Sequence, residues 1–347
     1  MVIIFLYLAV FLVFILSLRP RKDDNEILDK NFTNAIKTLF ILLIVLSHIL
    51  NTVHYNDGSI LAKGLGIFRG AMGQMCVAPF LFISGYGLFE GYKKHGDAYN
   101  KKIFINHFLK IWLFTIICLI PYFIYDPIVN GARPIGDYFL TLIGLKSLGN
   151  QSWFIFAILF VYLITFLVGL FKFKNKWINC LIITMLCIGY AVVFKLLGYG
   201  SYWYNTIISF PIGIAISLSK DQISKMFVKK RNAIIFLCSS LILYGLCYVL
   251  ISKTNVPELV FETLQNLLVI VGIISFSRLF TAKKSILLYF GINSWPLFLL
   301  HMFPILIFKN VLSNSNLFYV LSFFCSLILT IPFAFLLNRL SKAVFKS

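Results

Sequence analysis

Acidic residues are scarce in this chain: 12 Asp and Glu stand against 31 Lys and Arg, and charged residues make up only 12% of the sequence. An ordinary soluble domain contains about 25% charged residues. The composition therefore excludes such a domain and indicates a polytopic membrane protein. The net charge of +19 does not indicate a nucleic-acid partner, because the positive-inside rule alone places basic residues beside apolar spans.

Several chemical signatures are also missing. The sequence contains no GxxxxGK[ST] phosphate loop, no HExxH pair, no GxSxG elbow and no Cys/His cluster at metal-ligand spacing. All seven cysteines fall in apolar segments, and no two of them form a CxxC pair. ATP hydrolysis, serine hydrolase activity and zinc chemistry are therefore unsupported, and no metal is predicted.

Long apolar runs are abundant. Windows of about 20 apolar residues predict an all-α bundle of about eleven transmembrane helices. The first window, Val2 to Leu18, lacks the basic start and cleavage site of a signal peptide, so we expect it to be retained. The predicted spans begin near Val2, Ala35, Ile67, Ile103, Trp153, Trp177, Asn205, Ala233, Leu259, Ile286 and Leu317.

The connections between these spans alternate in charge. One side of the membrane would carry 24 of the Lys and Arg residues and the other side seven. Since cytoplasmic loops carry the excess of basic residues, the N-terminus is predicted outside and the C-terminus in the cytoplasm. The longest connection, Asp126 to Gln151, is predicted to be an outer loop with an interfacial or re-entrant piece, because its Gly and Pro residues would break a spanning helix.

The second span, NAIKTLFILLIVLSHILN, carries two ionisable residues. At 100° and 1.5 Å per residue, the eleven steps from Lys37 to His48 place both side chains on one stripe, about 16 Å apart. Ionisable groups inside a bilayer are costly and indicate function by default. The alternatives are that Lys37 extends to the cytoplasmic headgroups and that His48 bonds a neighbouring helix.

Two later segments add polar candidates. In VAPFLFISGYGLFEGY, the small residues around Ser84 and Tyr86 either permit close helix contact or open the backbone towards a ligand. In NKKIFINHFLKIW, four basic residues either anchor the cytoplasmic end of a span or attract a phosphate-bearing ligand. These four are Lys101, Lys102, His107 and Lys110.

The segment GINSWPLFLLHMFP contains Asn293, Ser294 and His301. His301 lies about fifteen residues from the cytoplasmic start of its span and His48 about thirteen from its own, which predicts a similar depth. The two histidines could line one cavity or be unrelated helix-packing residues.

Three charged residues lie towards the predicted outer side. Glu262 is either an intramembrane acid or part of a segment that begins at the wet outer surface. Arg69 and Arg133 could orient a polar acceptor or have no specific role.

Four of these features, in this order, resemble the acyltransferase-3 family of membrane O-acyltransferases, which modify cell-surface carbohydrates. Lys37-x10-His48 is similar to the family's Arg/Lys-x10-His signature, and GQMCVAPFLFISGY to its FFxxSGF pattern. QSWFIFAILFVYL, with Trp153, resembles its Trp-Phe segment, and FGINSWPLFLLH its GxxSYxxYLxH segment. One departure is HFLKIW, where His107 and Lys110 replace an arginine-rich stretch and so lack bidentate phosphate recognition.

The resemblance implies a ten-helix core, so Val2 to Leu18 would be an added helix. Residues 1–30 would form that helix and a basic cytoplasmic linker, and residues 31–347 the acyltransferase domain. The implied reaction in the cell membrane moves an acyl group, expected to be acetyl, from cytosolic acyl-CoA to a hydroxyl of a surface glycan or lipid-linked sugar.

The resemblance also implies residue roles. His48 would be the general base, and Lys37 would act with it in the catalytic site and hold donor phosphate or pantetheine groups. The other donor-binding residues would be Lys101, Lys102, His107 and Lys110. The substrate-binding residues would be Ser84, Tyr86, Trp153, Asn293, Ser294, His301, Glu262 and Arg69. Two alternatives remain, a proton-coupled permease for a sugar or acyl-bearing solute and a non-catalytic partner in glycan assembly.

Overall fold

The computed structural model describes residues 2–22, 27–52, 60–253, 258–283, 288–312 and 315–345. These residues are almost entirely helical, which confirms the predicted all-α polytopic membrane protein. The predicted span start at Ile286 and the basic residues Lys284 and Lys346 lie outside the described residues. The helices are α1 Val2–Ser17, α2 Lys30–Thr52, α3 Ile60–Met72, α4 Ala78–His95, α5 Tyr99–Lys102, α6 Lys110–Asn130, α7 Ile135–Leu142, α8 Ser152–Gly169, α9 Lys176–Leu196, α10 Ser209–Leu218, α11 Lys220–Met226, α12 Lys230–Lys253, α13 Glu258–Leu279, α14 Leu288–Ile292, α15 Ser294–Leu300, α16 Met302–Leu312 and α17 Asn316–Phe345.

Eight helical stretches in the described residues are long and apolar enough to cross a membrane. The longest, Ala78–Asn130, contains two of the predicted spans as α4 and α6. Two shorter apolar helices, α1 and α10, correspond to two further predictions. The total of eleven crossings and the orientation of the bundle stay predictions.

The third span differs from its predicted position. It was expected to begin near Ile67, but the long helix α4 begins at Ala78, after α3 and a short 3₁₀ turn at Gln74–Cys76. The backbone N–H of Gly73 closes a turn onto the carbonyl of Gly70. Glycines favour such turns at helix ends, so the apolar run is divided although its hydropathy is continuous.

One small sheet was not predicted. Strands β1 Leu18–Pro20 and β2 Phe280–Ala282 pair antiparallel and join the segment after α1 to the end of α13. The Arg21 side chain reinforces this connection by donating to the Ser277 carbonyl at 2.6 Å. Strands of three residues are too short for an alternating sequence pattern to reveal them.

The connection predicted to be an outer loop contains the predicted short element. Helix α6 continues to Asn130, and α7 Ile135–Leu142 follows it as the interfacial or re-entrant candidate. Arg133 forms two hydrogen bonds to the buried carboxylate of Asp126, at 2.6 and 2.7 Å. Arg133 therefore holds the loop against the end of α6, which accounts for this residue without an acceptor-binding role.

Helix α2 is the central element. It packs against α1, α14, α15, α16 and α17, and 78% of its most apolar window is buried inside the protein. Helix α4 packs along α10. Lys37 and His48 on α2 thus lie on a helix that is surrounded by protein along much of its length.

Candidate functional site

The two histidines lie side by side. The ring centroids of His48, on α2, and His301, at the end of α15, are 5.1 Å apart with an interplanar angle of 35°. The prediction that they share a similar depth is confirmed. Two helices far apart in sequence therefore bring two proton carriers together inside the bundle.

The hydrogen bonds of His301 fix its tautomer. Nδ1 lies 2.7 Å from the backbone carbonyl oxygen of Phe298, and because a carbonyl oxygen only accepts, Nδ1 carries the proton. In the neutral ring, Nε2 is then an acceptor. This atom is fully buried and has no hydrogen-bond partner in the part of the chain that the structure describes. His301 thus offers an unused lone pair within a site that already contains His48.

Lys37 lines a cavity at the other end of the same helical stripe. The cavity has a volume of about 330 Å³ and lies between α2, α4, α6, α8, α14, α15 and the segment before α6. Ser84, His107 and Ser294 line it together with Lys37. Four residues predicted from separate sequence segments therefore meet in one space, although neither His48 nor His301 lines that space.

The polar wall of the cavity is internally hydrogen-bonded. The hydroxyls of Ser84 and Tyr162 are 2.5 Å apart, and Nε2 of His107 lies 3.2 Å from the Tyr99 hydroxyl. The His107 ring also contacts the Tyr162 ring edge to face, with centroids 5.5 Å apart. Hydroxyl and imidazole groups held in this way can bond an uncharged polar ligand, and Lys37 adds one positive charge.

Local helix geometry directs His107 into the cavity. Residues Ile103–Leu109 form a π-helix between α5 and α6. A π-helical turn is wider than an α-helical one and occurs frequently at functional sites. The wider turn alters which face His107 presents relative to an ideal α-helix, a feature that periodicity in the sequence does not reveal.

The small residues near Ser84 were predicted either to permit close helix contact or to open the backbone towards a ligand. Two glycines of this segment differ in this respect. A Cβ on Gly85 would lie 2.1 Å from the Phe210 carbonyl oxygen, so Gly85 permits α4 and α10 to touch. Gly87 instead lines the cavity, and a Cβ there would meet nothing within 4 Å. Tyr86 is buried and its ring packs near Phe82. One glycine therefore serves packing and the other leaves room in the cavity.

Two further predicted substrate residues occupy packing positions. The Trp153 indole N–H donates to Gln151 Oε1 at 3.2 Å, and its neighbour Phe154 lines the cavity in its place. Asn293 donates to the Tyr289 carbonyl at 2.9 Å and accepts from Asn338 at 3.3 Å. Both side chains have their polar atoms engaged within the protein.

The predicted outer residues Glu262 and Arg69 lie apart from the cavity. Glu262, on α13, accepts from the Ser201 hydroxyl at 3.5 Å. Arg69, on α3, donates to Asn51, three residues beyond His48 on α2. Arg69 is thus connected to the histidine end of α2.

The lysines predicted to attract a phosphate-bearing ligand do not line the cavity. Lys101 and Lys102 are exposed on α5, and the Lys110 Nζ lies 5.7 Å from the centroid of the Phe114 ring. Attraction of phosphate groups by these residues stays a prediction. Tyr162 and Trp295, in contrast, line the cavity and were not singled out from the sequence, because aromatic residues within apolar spans look like ordinary core.

The fold and the site together define a polytopic helical membrane protein with a histidine pair between two of its helices and a separate, partly polar cavity on one central helix. The sequence model of the acyltransferase-3 family, described as an acyltransferase domain, matches residues 30–339, nearly the whole chain. The chain belongs to this family and is a membrane acyltransferase. No curated protein and no solved structure matches it.

Proposed function

We propose that this protein is an O-acetyltransferase of the cell membrane that uses acetyl-CoA and a hydroxyl of a surface glycan or lipid-linked sugar. Family membership supports acyl transfer and favours it over the permease. The observation that carries the finer proposal is the placement of Lys37 in a cavity and of His48 against His301 on a single helix. A donor site and a proton acceptor are thereby held at a fixed separation.

The cavity is the proposed donor site. Lys37 supplies a positive charge for a phosphate or for a polar group of the pantetheine arm. Ser84, Ser294, Tyr162 and His107 offer hydrogen bonds to its amides. Lys101, Lys102 and Lys110 would raise the local concentration of the anionic donor from outside the cavity, as clustered charge does for oppositely charged ligands. Ser84 and Ser294, first predicted to bind substrate, are thus assigned to the donor.

His48 is the proposed general base. Its neutral imidazole accepts the proton of the acceptor hydroxyl while that oxygen attacks the thioester carbonyl carbon. A new C–O ester bond forms, the C–S bond breaks, and the CoA thiolate leaves with the electron pair. The imidazolium of His48 then gives its proton to that thiolate, which restores the base.

His301 is the proposed positioning residue. With Nδ1–H held by the Phe298 carbonyl, its Nε2 can accept a hydrogen bond from the His48 ring. Such a bond would fix which nitrogen of His48 is unprotonated, as orienting partners do for catalytic histidines. The polar pair of Arg69 and Asn51 lies just beyond His48, and in this proposal it binds the hydroxyls of a sugar acceptor.

The residue roles can be tested with labelled acetyl-CoA and cell-envelope acceptor. His48→Gln should lower the rate of acetyl transfer about 10²- to 10⁴-fold, the usual contribution of general acid–base catalysis. Lys37→Met should mainly raise KM for acetyl-CoA. His95→Gln and Lys94→Met, at exposed positions, are matched controls. A wild-type rate of transfer by His48→Gln would contradict the role of His48 as general base. An unchanged KM for acetyl-CoA in Lys37→Met would contradict the role of Lys37 in donor binding.

The acceptor can be identified by mass spectrometry of surface polysaccharides and glycolipids from cells with and without the gene. An acetyl-sized mass difference in one fraction would name both the acyl group and the acceptor class. Accumulation of a solute in proteoliposomes without consumption of acetyl-CoA would instead contradict the proposal and favour a permease.

A further inference from the structure

Three large aromatic side chains form a cluster where the cavity ends. The ring centroids of Phe154 and Phe298 are 5.0 Å apart, those of Trp295 and Phe298 are 6.0 Å apart, and those of Phe154 and Trp295 are 6.1 Å apart. Every pair is in contact, and offset or edge-to-face contacts of this kind stabilise a fixed arrangement. The cluster joins α8 to α15.

This cluster separates the cavity from the histidine pair. Phe154 and Trp295 line the cavity, whereas Phe298 is buried behind them and contacts the His301 ring with centroids 5.8 Å apart. The His301 ring in turn contacts His48. A continuous series of ring contacts therefore leads from the cavity wall to the proposed base.

The spacing of residues along α15 gives the distance between the cavity and the histidine pair. Ser294, which lines the cavity, precedes Phe298 by four residues and His301 by seven, so all three lie close to one stripe of the helix. The backbone N–H of His301 still bonds the Leu297 carbonyl at 3.0 Å, so the helical turn extends to that residue. Seven steps of 1.5 Å amount to roughly 10 Å, and Phe298 occupies the middle of this path.

We propose that Phe154, Trp295 and Phe298 determine the length of the acyl group that this enzyme accepts. This inference rests on the proposed function, in which the thioester end of acyl-CoA points from the cavity towards His48. An acyl chain attached to that thioester extends into the aromatic cluster. A two-carbon acyl group needs little room there, while each added methylene must displace a packed ring, since protein interiors have few voids larger than a water molecule.

The test is a competition assay with the full-length protein in detergent. Labelled acetyl-CoA is displaced by acetyl-, butyryl- and hexanoyl-CoA, so no acceptor is needed. One methylene too many in a fitted pocket discriminates by about tenfold or more, so hexanoyl-CoA should compete at least about tenfold more weakly than acetyl-CoA. Phe298→Leu and Phe154→Leu should reduce that difference to within about threefold, and the same shift should appear in transfer rates.

The control is Phe194→Leu on α9, which removes an equally buried ring that stacks on Trp203 instead. It should keep the wild-type preference for short chains. Equal competition by all three thioesters in the wild type, or an unchanged length profile in both cluster variants, would overturn the inference while leaving acetyl-CoA as donor. Failure of every CoA thioester to bind the wild type would overturn the donor assignment itself. If a cluster variant does not fold, Phe298→Met is measured instead, because the flexible methionine side chain fills irregular gaps in a packed core.

Discussion

Helices α2 and α12 are of nearly equal length, 23 and 24 residues, yet they differ in their surroundings. In the most apolar window of α2, 78% of the residues are buried inside the protein, against 11% for α12. The buried helix is the one that contains Lys37 and His48. Since lipid tails are as apolar as leucine, the lipid-facing helix needs no polar side. In this bundle, the interior helix carries Lys37 and His48 within its apolar run, whereas α12 has no charged residue and no histidine between Arg231 and Lys253.

The largest expected loss of stability is for a glycine in the packed interior, compared with a glycine on the exposed helix α12. Gly85→Ala would place a Cβ 2.1 Å from the Phe210 carbonyl oxygen, which is backbone and cannot rotate away, whereas Gly245→Ala on α12 meets nothing within 4 Å. Forcing atoms into a packed interior costs about 1–3 kcal/mol and occasionally more, and a backbone contact this short puts Gly85→Ala at or above the upper end of that range. We therefore expect Gly85→Ala to lower the thermal midpoint in detergent by many degrees.

Gly245→Ala should leave that midpoint unchanged or raise it slightly, because alanine stabilises an exposed helical position by about 0.4–1 kcal/mol. Equal midpoints for the two variants would show that α4 and α10 do not touch at Gly85.

A smaller loss of stability is expected when a leucine is replaced by alanine, and it should differ between the apolar runs of α2 and α12. Leu46 on α2 is fully buried, and Leu246 on α12 is 54% exposed. Leu46→Ala removes packing contacts and leaves a cavity, which costs about 2–5 kcal/mol in soluble proteins. The lower end applies here, because the unfolded reference is also apolar. Denaturant titration of both variants should show a loss for Leu46→Ala and a change within about 0.5 kcal/mol for Leu246→Ala.

Much of the fold and part of the site could be predicted from sequence. The stripe shared by Lys37 and His48 depends only on the geometry of one helix, so counting residues suffices. The depth of His301 followed from the same counting on a second span. Both predictions depend only on the spacing of residues along one helix and on the position where that helix begins. The structure agrees with them, because the two histidine rings lie side by side.

The remaining parts depend on contacts between helices that no local pattern encodes. Tyr162 pairs with Ser84 only because α8 lies beside α4, and within its own apolar span it resembles any core aromatic. His107 faces the cavity through a π-helical segment whose hydrogen bonding leaves no periodic pattern in the sequence. Gly85 and Gly87 are identical residues two positions apart, yet only the position of α10 decides which one serves packing.

The smallest effect tests whether the interior polar contacts bind ligand or merely fill space. Tyr162→Phe keeps the ring and removes the hydroxyl that lies 2.5 Å from the Ser84 hydroxyl in the cavity wall. Tyr248→Phe on α12 removes a hydroxyl that donates to the Ile67 carbonyl at 3.3 Å, away from the cavity. A hydrogen bond contributes about 0.5–1.5 kcal/mol, so Tyr162→Phe should raise KM for acetyl-CoA about two- to tenfold with little change in kcat. Tyr248→Phe should leave KM unchanged. A change in stability without a change in KM for Tyr162→Phe would assign this pair to packing, and the polar wall of the cavity would then act through Lys37, His107 and Ser294.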